Sequence, residues 1–400
     1  MKKIDTSQRI PIKMWLDAPE QGALQQAYNM ANLPIAFHHI ALMPDMHQGF
    51  GMPIGGVLPT INSVIPHAVG SDAGCGMSYV QTNIPIESFV NEQMDGNPII
   101  QGMVKNIKRN IPVGFNKHST PQEWAGFDRA PDTELIRQEL DNARLSIGSM
   151  GGSNHFIEIQ QDQNGLLAFM LHSGSRNLGK KICDYYNGEA MALADSMEHR
   201  VPEEWQLAYL RLDSEVGQEY MRVLEFALDF AKASRYLMME RIKNVVFNMI
   251  EKYAGIKNVT VIESIDIHHN YAIMEEHFGE IVMVHRKGAI KQDVDEKGII
   301  PGSMESPSYI VKGMGNVESF LSASHGAGRA LGRKETCRRY TNQSVIDRIK
   351  GKGIYLSKAS PEETAAEGKD GYKDIDTVIS NETDLIEVTN RLTQLAVIKG

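Results

Sequence analysis

Four hundred residues, 42% hydrophobic and 23% charged, are enough to bury a sizeable core in one large domain or two to three small ones. A net charge of −9 excludes a chain coated in positive charge, but a local basic cleft can still grip phosphate. The three cysteines (Cys75, Cys183 and Cys337) form no CxxC pair and no disulfide framework, which points to a reducing compartment. No apolar run reaches the length of a membrane span, and none follows Lys2-Lys3 as a secretory signal requires, so a cytoplasmic protein is expected.

In chain order, residues 9 to 14 read as a short edge strand containing a proline, and 19 to 31 as a helix that breaks at Leu33-Pro34. The apolar run Ile35 to Met43 reads as a buried strand. The Gly- and Pro-rich stretch from Met43 to Gly56, holding Asp45 and His47, reads as a loop or bend. Val69-Gly-Ser-Asp-Ala-Gly-Cys-Gly-Met77 sets a hard carboxylate, Asp72, three residues from a soft thiol, Cys75, among glycines. Met77 to Thr82 and Ile84 to Phe89 look like strands, and 97 to 110 like a helix. A polar loop covers 113 to 133, with Asp132 as the N-cap of the next helix.

The glycine-rich loop 148 to 154 runs through His155 into an alternating strand, in which Phe156 and Glu158 face one way and His155 and Ile157 the other. Leu166 to Leu171 is an apolar strand ending at His172. Residues 185 to 255 change character: glycine is scarce, and Met221, Leu224, Leu228 and Ala231 fall at helical spacing, read as core packing in a helical insertion. Pro202 is expected to open one helix there, and a long one covers about 216 to 251. Val259 to Asp266 returns to strand before His268-His269-Asn270. A helix is expected from Glu318 through Ser322-Ala-Ser-His325-Gly-Ala-Gly-Arg329. Residues 358 to 371 read as polar and mobile, and 377 to 397 as including a closing helix. Many strands with few regular helices favour an α+β fold with several β-layers over a doubly wound sheet.

Asp72, Cys75, His155, His172 and His269 each border a Gly-rich or Asn-containing turn at a strand end. A lone histidine is more often a packed core residue than a ligand, but five such residues in one pattern suit Mn²⁺, Zn²⁺ or Fe²⁺, with Cys75 able to bridge two ions. Gly302-Ser303-Met304 and Gly326-Ala327-Gly328 can offer backbone N–H groups to phosphate. His325, flanked by small residues, is a candidate nucleophile toward phosphorus.

The segments MPDMHQGFGMPIGG, VGSDAGCGM, GSMGGSNHFIEIQ, MLHSGSRNLG, HHNYAIMEEHFGE, VHRKGA, IPGSM, SHGAGRALGR, GYKDID and VIKG run in order from residue 43 to residue 400. Together they resemble the RtcB family, RNA ligases that join a 3′-phosphate (or 2′,3′-cyclic phosphate) end to a 5′-hydroxyl end. The resemblance implies one large RtcB-like catalytic domain over 1–400, with 185–255 as an insertion. It implies two Mn²⁺ ions on Asp72, Cys75, His155, His172 and His269, and guanylylation of His325 by GTP. The implied guanylate pocket comprises Asn154, Glu158, Asn270, Pro301, Gly302, Ser303, Met304, Ser308, Ala327, Gly328 and Lys399. Arg176, Arg286 and Arg329 are candidates for RNA or phosphate contact, and Asp45 and His47 lie in a family motif without an assigned role. The implied partners are GTP, RNA in tRNA splicing or repair, and an archease-like activator; no membrane is implied.

Three departures from the family pattern bear on the RNA substrate more than on the chemistry. Glu305 and Pro307 follow Met304, Val113 to Trp124 lacks the basic residues associated with RNA contact, and Glu367-Gly-Lys-Asp370 replaces a proline-containing turn. Glu305 also favours an alternative reading: a metal-dependent RNA cyclic phosphodiesterase or phosphatase that has lost ligation.

Overall fold

Two antiparallel-rich sheets meet through a shared apolar layer and confirm the α+β class. The structure, a computed structural model, describes residues 1–196, 200–358 and 364–400. The six-stranded sheet runs Lys3–Asp5, Ile12–Met14, Ile40–Phe50, Met52–Thr60, Glu280–Lys287 and Asn270–His277. The main path of the eight-stranded sheet runs Val261–His268, Gly76–Pro85, Leu166–Ser173, Phe156–Asp162, Ile386–Lys399, Ser308–Gly313 and Lys297–Ile300. Tyr355–Lys358 lies parallel to Ile386–Lys399 as the eighth strand.

Met43, Val57, Val282 and Val284 of the first sheet pack with Ile300, Val311 and Ile386 of the second in one buried cluster. The helix Gln21–Ala31 covers the first sheet with Ala23, Ala27 and Met30. The 40-residue helix Glu215–Ala254, capped by the Ser214 hydroxyl and ended by Gly255, packs Met238, Met239, Ile242 and Val246 against Phe169 and Leu171. Its methionines are core, as their spacing implied. No helix among the described residues is long and apolar enough to cross a membrane.

Several local expectations need correction. The strand at the N-terminus is Ile12–Met14, and it is paired on both sides rather than at an edge. The next strand begins at Ile40, not Ile35, and continues through the supposed loop 43–56 as one arm of a hairpin with Met52–Thr60. Register shifts around His47 relax the ladder where proline and glycine would otherwise break it. Ile86–Ser88 is a 3₁₀ turn, not strand. The cap at 133 is Thr133, whose side chain accepts from the Ile136 N–H, not Asp132. Pro202 precedes only the short 3₁₀ turn Glu203–Trp205, and no longer helix begins there.

The helix expected from Glu318 is instead a 3₁₀ turn, Val317–Ser319, and a strand, Ser322–Ser324, paired with Ala289–Lys291. The closing helix is only Ile375–Ser380, and the long final element is the strand Ile386–Lys399. Of the stretch expected to be mobile, residues 364–371 form compact 3₁₀ turns with Glu367 buried. Residues 359–363 lie outside the described residues.

Candidate metal and nucleotide site

Four neighbouring strands of the eight-stranded sheet bring the candidate ligands to one end. Antiparallel pairing alternates strand starts and strand ends, so Gly76 lies opposite both Ser173 and His268, and Phe156 lies opposite both His172 and Lys399. Cys75 and His155 immediately precede two of these strands, while His172 lies near the end of a third. His269 sits where the chain leaves this sheet for the other, and its N–H donates to the Cys75 carbonyl at 2.8 Å. Gly76 must be glycine: a Cβ there would lie 2.0 Å from the Ile267 carbonyl oxygen.

The donor atoms converge. Cys75 Sγ is 3.4 Å from His155 Nε2 and 3.2 Å from His172 Nε2. His172 Nε2 is 3.3 Å from His269 Nε2, and Asp72 Oδ2 is 3.0 Å from His155 Nε2. Ligands around one tetrahedral ion at ordinary N and S bond lengths stand about 3.3–3.8 Å apart. The spacing therefore fits a divalent ion, and the Cys75, His155 and His172 donors alone form a compact set. The His172 Nδ1–H donates to the Asn154 carbonyl at 3.2 Å, which leaves Nε2 to face the cluster.

Burial holds His172 and His269 well below the usual imidazole range, with cationic neighbours adding to the effect, so both rings are neutral and able to ligate. Burial, then Asp72, pushes the Cys75 thiol well above its usual value. Metal binding at Cys75 must therefore displace a proton. Burial also works to raise Asp72, but the hydrogen bond with His155 and other neighbours outweigh it, and the carboxylate stays below its ordinary value.

Arg235, from the middle of the long helix, was not singled out in the sequence. Fully buried, it donates to the Gly74 carbonyl at 2.8 Å and to the Ser173 carbonyl at 3.1 Å, and forks onto both Asp266 oxygens at 2.7 and 2.8 Å. It ties together two of the ligand-bearing strand ends. The helical spacing that runs through Leu224, Leu228 and Ala231 places 235 on the same inward face, a signal that could have marked the arginine as buried.

A cavity of about 220 Å³ opens beside the cluster. It is lined by His172, His269 and His325 and by nine of the expected pocket residues: Asn154, Glu158, Pro301, Gly302, Ser303, Met304, Ala327, Gly328 and Lys399. The other two stand behind it. Asn270 accepts from the Gly288 N–H at 2.8 Å, and the Ser308 hydroxyl accepts from the Gly302 N–H at 3.2 Å. His47 and Arg329 also line the cavity, as do Phe156, Arg333, Glu367 and Tyr372, which the sequence did not single out.

Lys399 Nζ lies 3.1 Å from Glu367 Oε2, Tyr372 donates to the same oxygen at 2.7 Å, and Arg333 lies 3.2 Å from Oε1. Burial works to raise Glu367, but Lys399 and the other neighbours outweigh it and hold the carboxylate below its usual range. Glu158 lacks so strong a partner, and burial pushes it up to about 8.

His325 follows the short strand Ser322–Ser324, and its ring centroid is 4.8 Å from that of His269. Asp45, fully buried, places Oδ2 2.6 Å from His325 Nδ1 and 3.2 Å from the His325 backbone N. The carboxylate accepts from Nδ1–H and so leaves the Nε2 lone pair free to act as a nucleophile or ligand. Gly328, at φ +69°, lets its loop close on this pair: a Cβ there would meet the Asp45 carbonyl oxygen at 2.0 Å. His47 Nδ1–H donates to the Asp45 carbonyl at 3.0 Å, and burial lowers the pKa of the ring to about 4.

One expectation fails on geometry, and one departure stands apart from the cavity. Arg286 is fully buried, forked onto Glu275 at 2.8 and 2.9 Å, and also bonded to Ser322 and to the Phe320 carbonyl; with its donors engaged it does not reach RNA. Glu305 does not enter the cavity. It pairs with Arg348 at 2.8 and 3.2 Å and accepts from the Lys369 N–H. Burial opposes its charge, and Arg348 with its other partners still lowers its pKa.

Comparison with known proteins places this arrangement. The family profile described as tRNA-splicing ligase RtcB matches residues 26–129 and 121–400. The chain is 35% identical over 412 residues to the RNA-splicing ligase RtcB of Escherichia coli K12, covering 99% of this chain and 98% of the relative. It is 28% identical over 479 residues to the tRNA-splicing ligase RtcB of Thermococcus kodakarensis, covering 100% and 96% respectively. With a profile match across most of its length and a relative matched almost end to end, the chain belongs to the RtcB family.

Proposed function

We propose that this protein is a GTP- and Mn²⁺-dependent RNA ligase that joins a 3′-phosphate or 2′,3′-cyclic phosphate end to a 5′-hydroxyl end through guanylylated His325. The observation that carries the reading is the Asp45–His325 pair, facing a cavity whose next wall is the metal cluster. The printed names of the relatives, RNA-splicing and tRNA-splicing ligases, supply the substrate class.

His325 Nε2 attacks the α-phosphorus of GTP. The N–P bond forms as the bond to the β-phosphate oxygen breaks, and pyrophosphate leaves. Asp45 holds Nδ1–H and offsets the charge that grows on the ring. An oxygen of the RNA 3′-phosphate then takes the guanylyl group and frees His325. Finally the 5′-hydroxyl oxygen attacks the activated RNA phosphorus and GMP departs. Asp72, Cys75, His155, His172 and His269 would hold two Mn²⁺ ions, which would supply charge compensation at phosphoryl oxygens and lower the pKa of the attacking hydroxyl. Glu158, Lys399 and the 301–304 and 326–328 loops form the guanylate pocket, and the whole chain acts as one catalytic domain, with 185–255 inserted in it.

His325→Ala is expected to abolish transfer of label from α-³²P-GTP to the protein. Labelling through that variant would overturn the assignment of the nucleophile. The phosphodiesterase reading loses its motivating feature, because Glu305 is neutralised by Arg348 outside the cavity. Cyclic-phosphate RNA supplied with and without GTP separates the two readings: joining only with GTP supports the ligase, and opening without joining supports the alternative.

A further inference from the structure

A second cavity, of about 590 Å³, lies on the other side of the metal cluster. The first is lined by His172 and His269, the second by Asp72 and His155, and Arg333 borders both. Arg176 and Phe115 complete the functional part of its wall. Phe115 is 99% exposed, the most exposed large apolar side chain among the described residues.

The loop that carries it is not loose. The Met150 N–H donates to the Pro112 carbonyl at 2.9 Å, and the Gly114 N–H to the Gly151 carbonyl at 2.9 Å. Arg176 donates to the Gly114 carbonyl at 2.9 Å, and Asn116 closes the turn on the Val113 carbonyl at 3.0 Å. Val113 itself is buried in the core beside Met150. A turn pinned to the loop that bears His155 thus holds a bare ring over a cavity that reaches two metal ligands. An apolar ring fixed in water beside arginines suits a ligand with flat π-faces and a phosphate backbone.

We propose that Phe115 is a stacking platform for a nucleobase near the end of the single-stranded RNA, and that Arg176 and Arg333 border the track of its backbone. The inference rests on the ligase reading and adds to it a place for the polynucleotide, separate from the GTP cavity.

The test uses the full-length protein with Mn²⁺ and no GTP, and reads the fluorescence anisotropy of dye-labelled single strands of about twelve nucleotides. One strand ends in a 3′-phosphate and the other in a 5′-hydroxyl. Phe115→Ala is expected to weaken binding of at least one strand by about tenfold or more. Phe115→Trp should restore it and Phe115→Leu should not, because a leucine keeps the apolar volume but offers no π-face. Unchanged affinity in Phe115→Ala, or full rescue by leucine, overturns the proposal. Label transfer from GTP, which needs no RNA, is measured in each variant as the control for an intact site, and its loss in Phe115→Ala marks a structural role and also overturns the proposal. If the wild-type protein takes no label and joins no ends, the ligase reading itself falls. If it labels and joins while Phe115→Ala binds RNA normally, only the stacking platform falls.

Discussion

The candidate metal cluster and the cavity proposed for the nucleotide share His172 and His269 yet are built by different means. Four of the five candidate ligands sit at or next to strand ends whose positions are fixed by cross-strand register, and the fifth, Asp72, lies on the short loop just before Cys75. Behind them, Arg235 locks two of those ends from the long helix. The cavity is walled mainly by loops and by a buried ion-pair network, in which Glu367 gathers Lys399, Arg329 and Arg333 from separate stretches of chain. Ladder hydrogen bonds over-determine the first region. The second depends on charges that must all arrive together, since a buried carboxylate without its partners is costly. Each half should therefore tolerate changes in the other, the ladder-built half most of all.

Three substitutions probe that asymmetry, beginning with the largest effect. Cys75→Ala removes the donor at the centre of the cluster, and calorimetric Mn²⁺ binding should weaken by more than roughly 100-fold. Because His325 and the loops around it do not touch Cys75, the chain should still unfold in one transition near the wild-type temperature; a collapse of the fold would show that the two halves are not separable. Asp45→Asn acts at the joint between them. It keeps the shape but no longer offers a second oxygen and a charge to the Nδ1 proton, so the rate of self-guanylylation should fall by roughly 100-fold. Manganese affinity should stay within about twofold, and a parallel loss of metal would mean that Asp45 serves the cluster instead.

The smallest effect concerns Glu158. Its folded pKa, about 8, lies above the ordinary carboxylate value of 4.5. Between those two pH values the folded chain keeps a proton that the unfolded chain has released, so stability falls as pH rises through the window. Glu158→Gln cannot titrate and escapes that loss. Its melting temperature should match the wild type near pH 5 and exceed it by on the order of 2 °C or more near pH 8. Equal melting curves at both pH values would place Glu158 in a more polar setting than its burial indicates.

The same division explains what the sequence revealed. Asp72, Cys75, His155, His172 and His269 were legible because each carries a local mark: a ligating side chain beside a glycine or asparagine turn at the end of an apolar run. Glu367 carried no such mark. Its neighbours Glu362, Glu363, Lys369 and Asp370 made the stretch look solvated, and only pairing with Arg329 and Lys399 buries it. Ser322-Ala323-Ser324 was misread as helix because small residues fit either state, and the deciding contact is a non-local pairing with Ala289–Lys291. Arg286 was a candidate for RNA or phosphate contact, but Glu275 on the neighbouring strand holds it inside. Local pattern marked the candidate ligands that the fold brings together; the cavity needed the tertiary partners.

The Asp45–His325 bond joins residues 280 apart, and Cys75 meets His172 across 97. Such separations make the centre depend on long-range contacts, whose loop-closure entropy is offset only where both sheets are formed and docked. A partly folded chain has no convergent donor set to offer an ion. Divalent metal should therefore bind the finished structure alone, drawing the folding equilibrium toward the native state by mass action without trapping intermediates on the way.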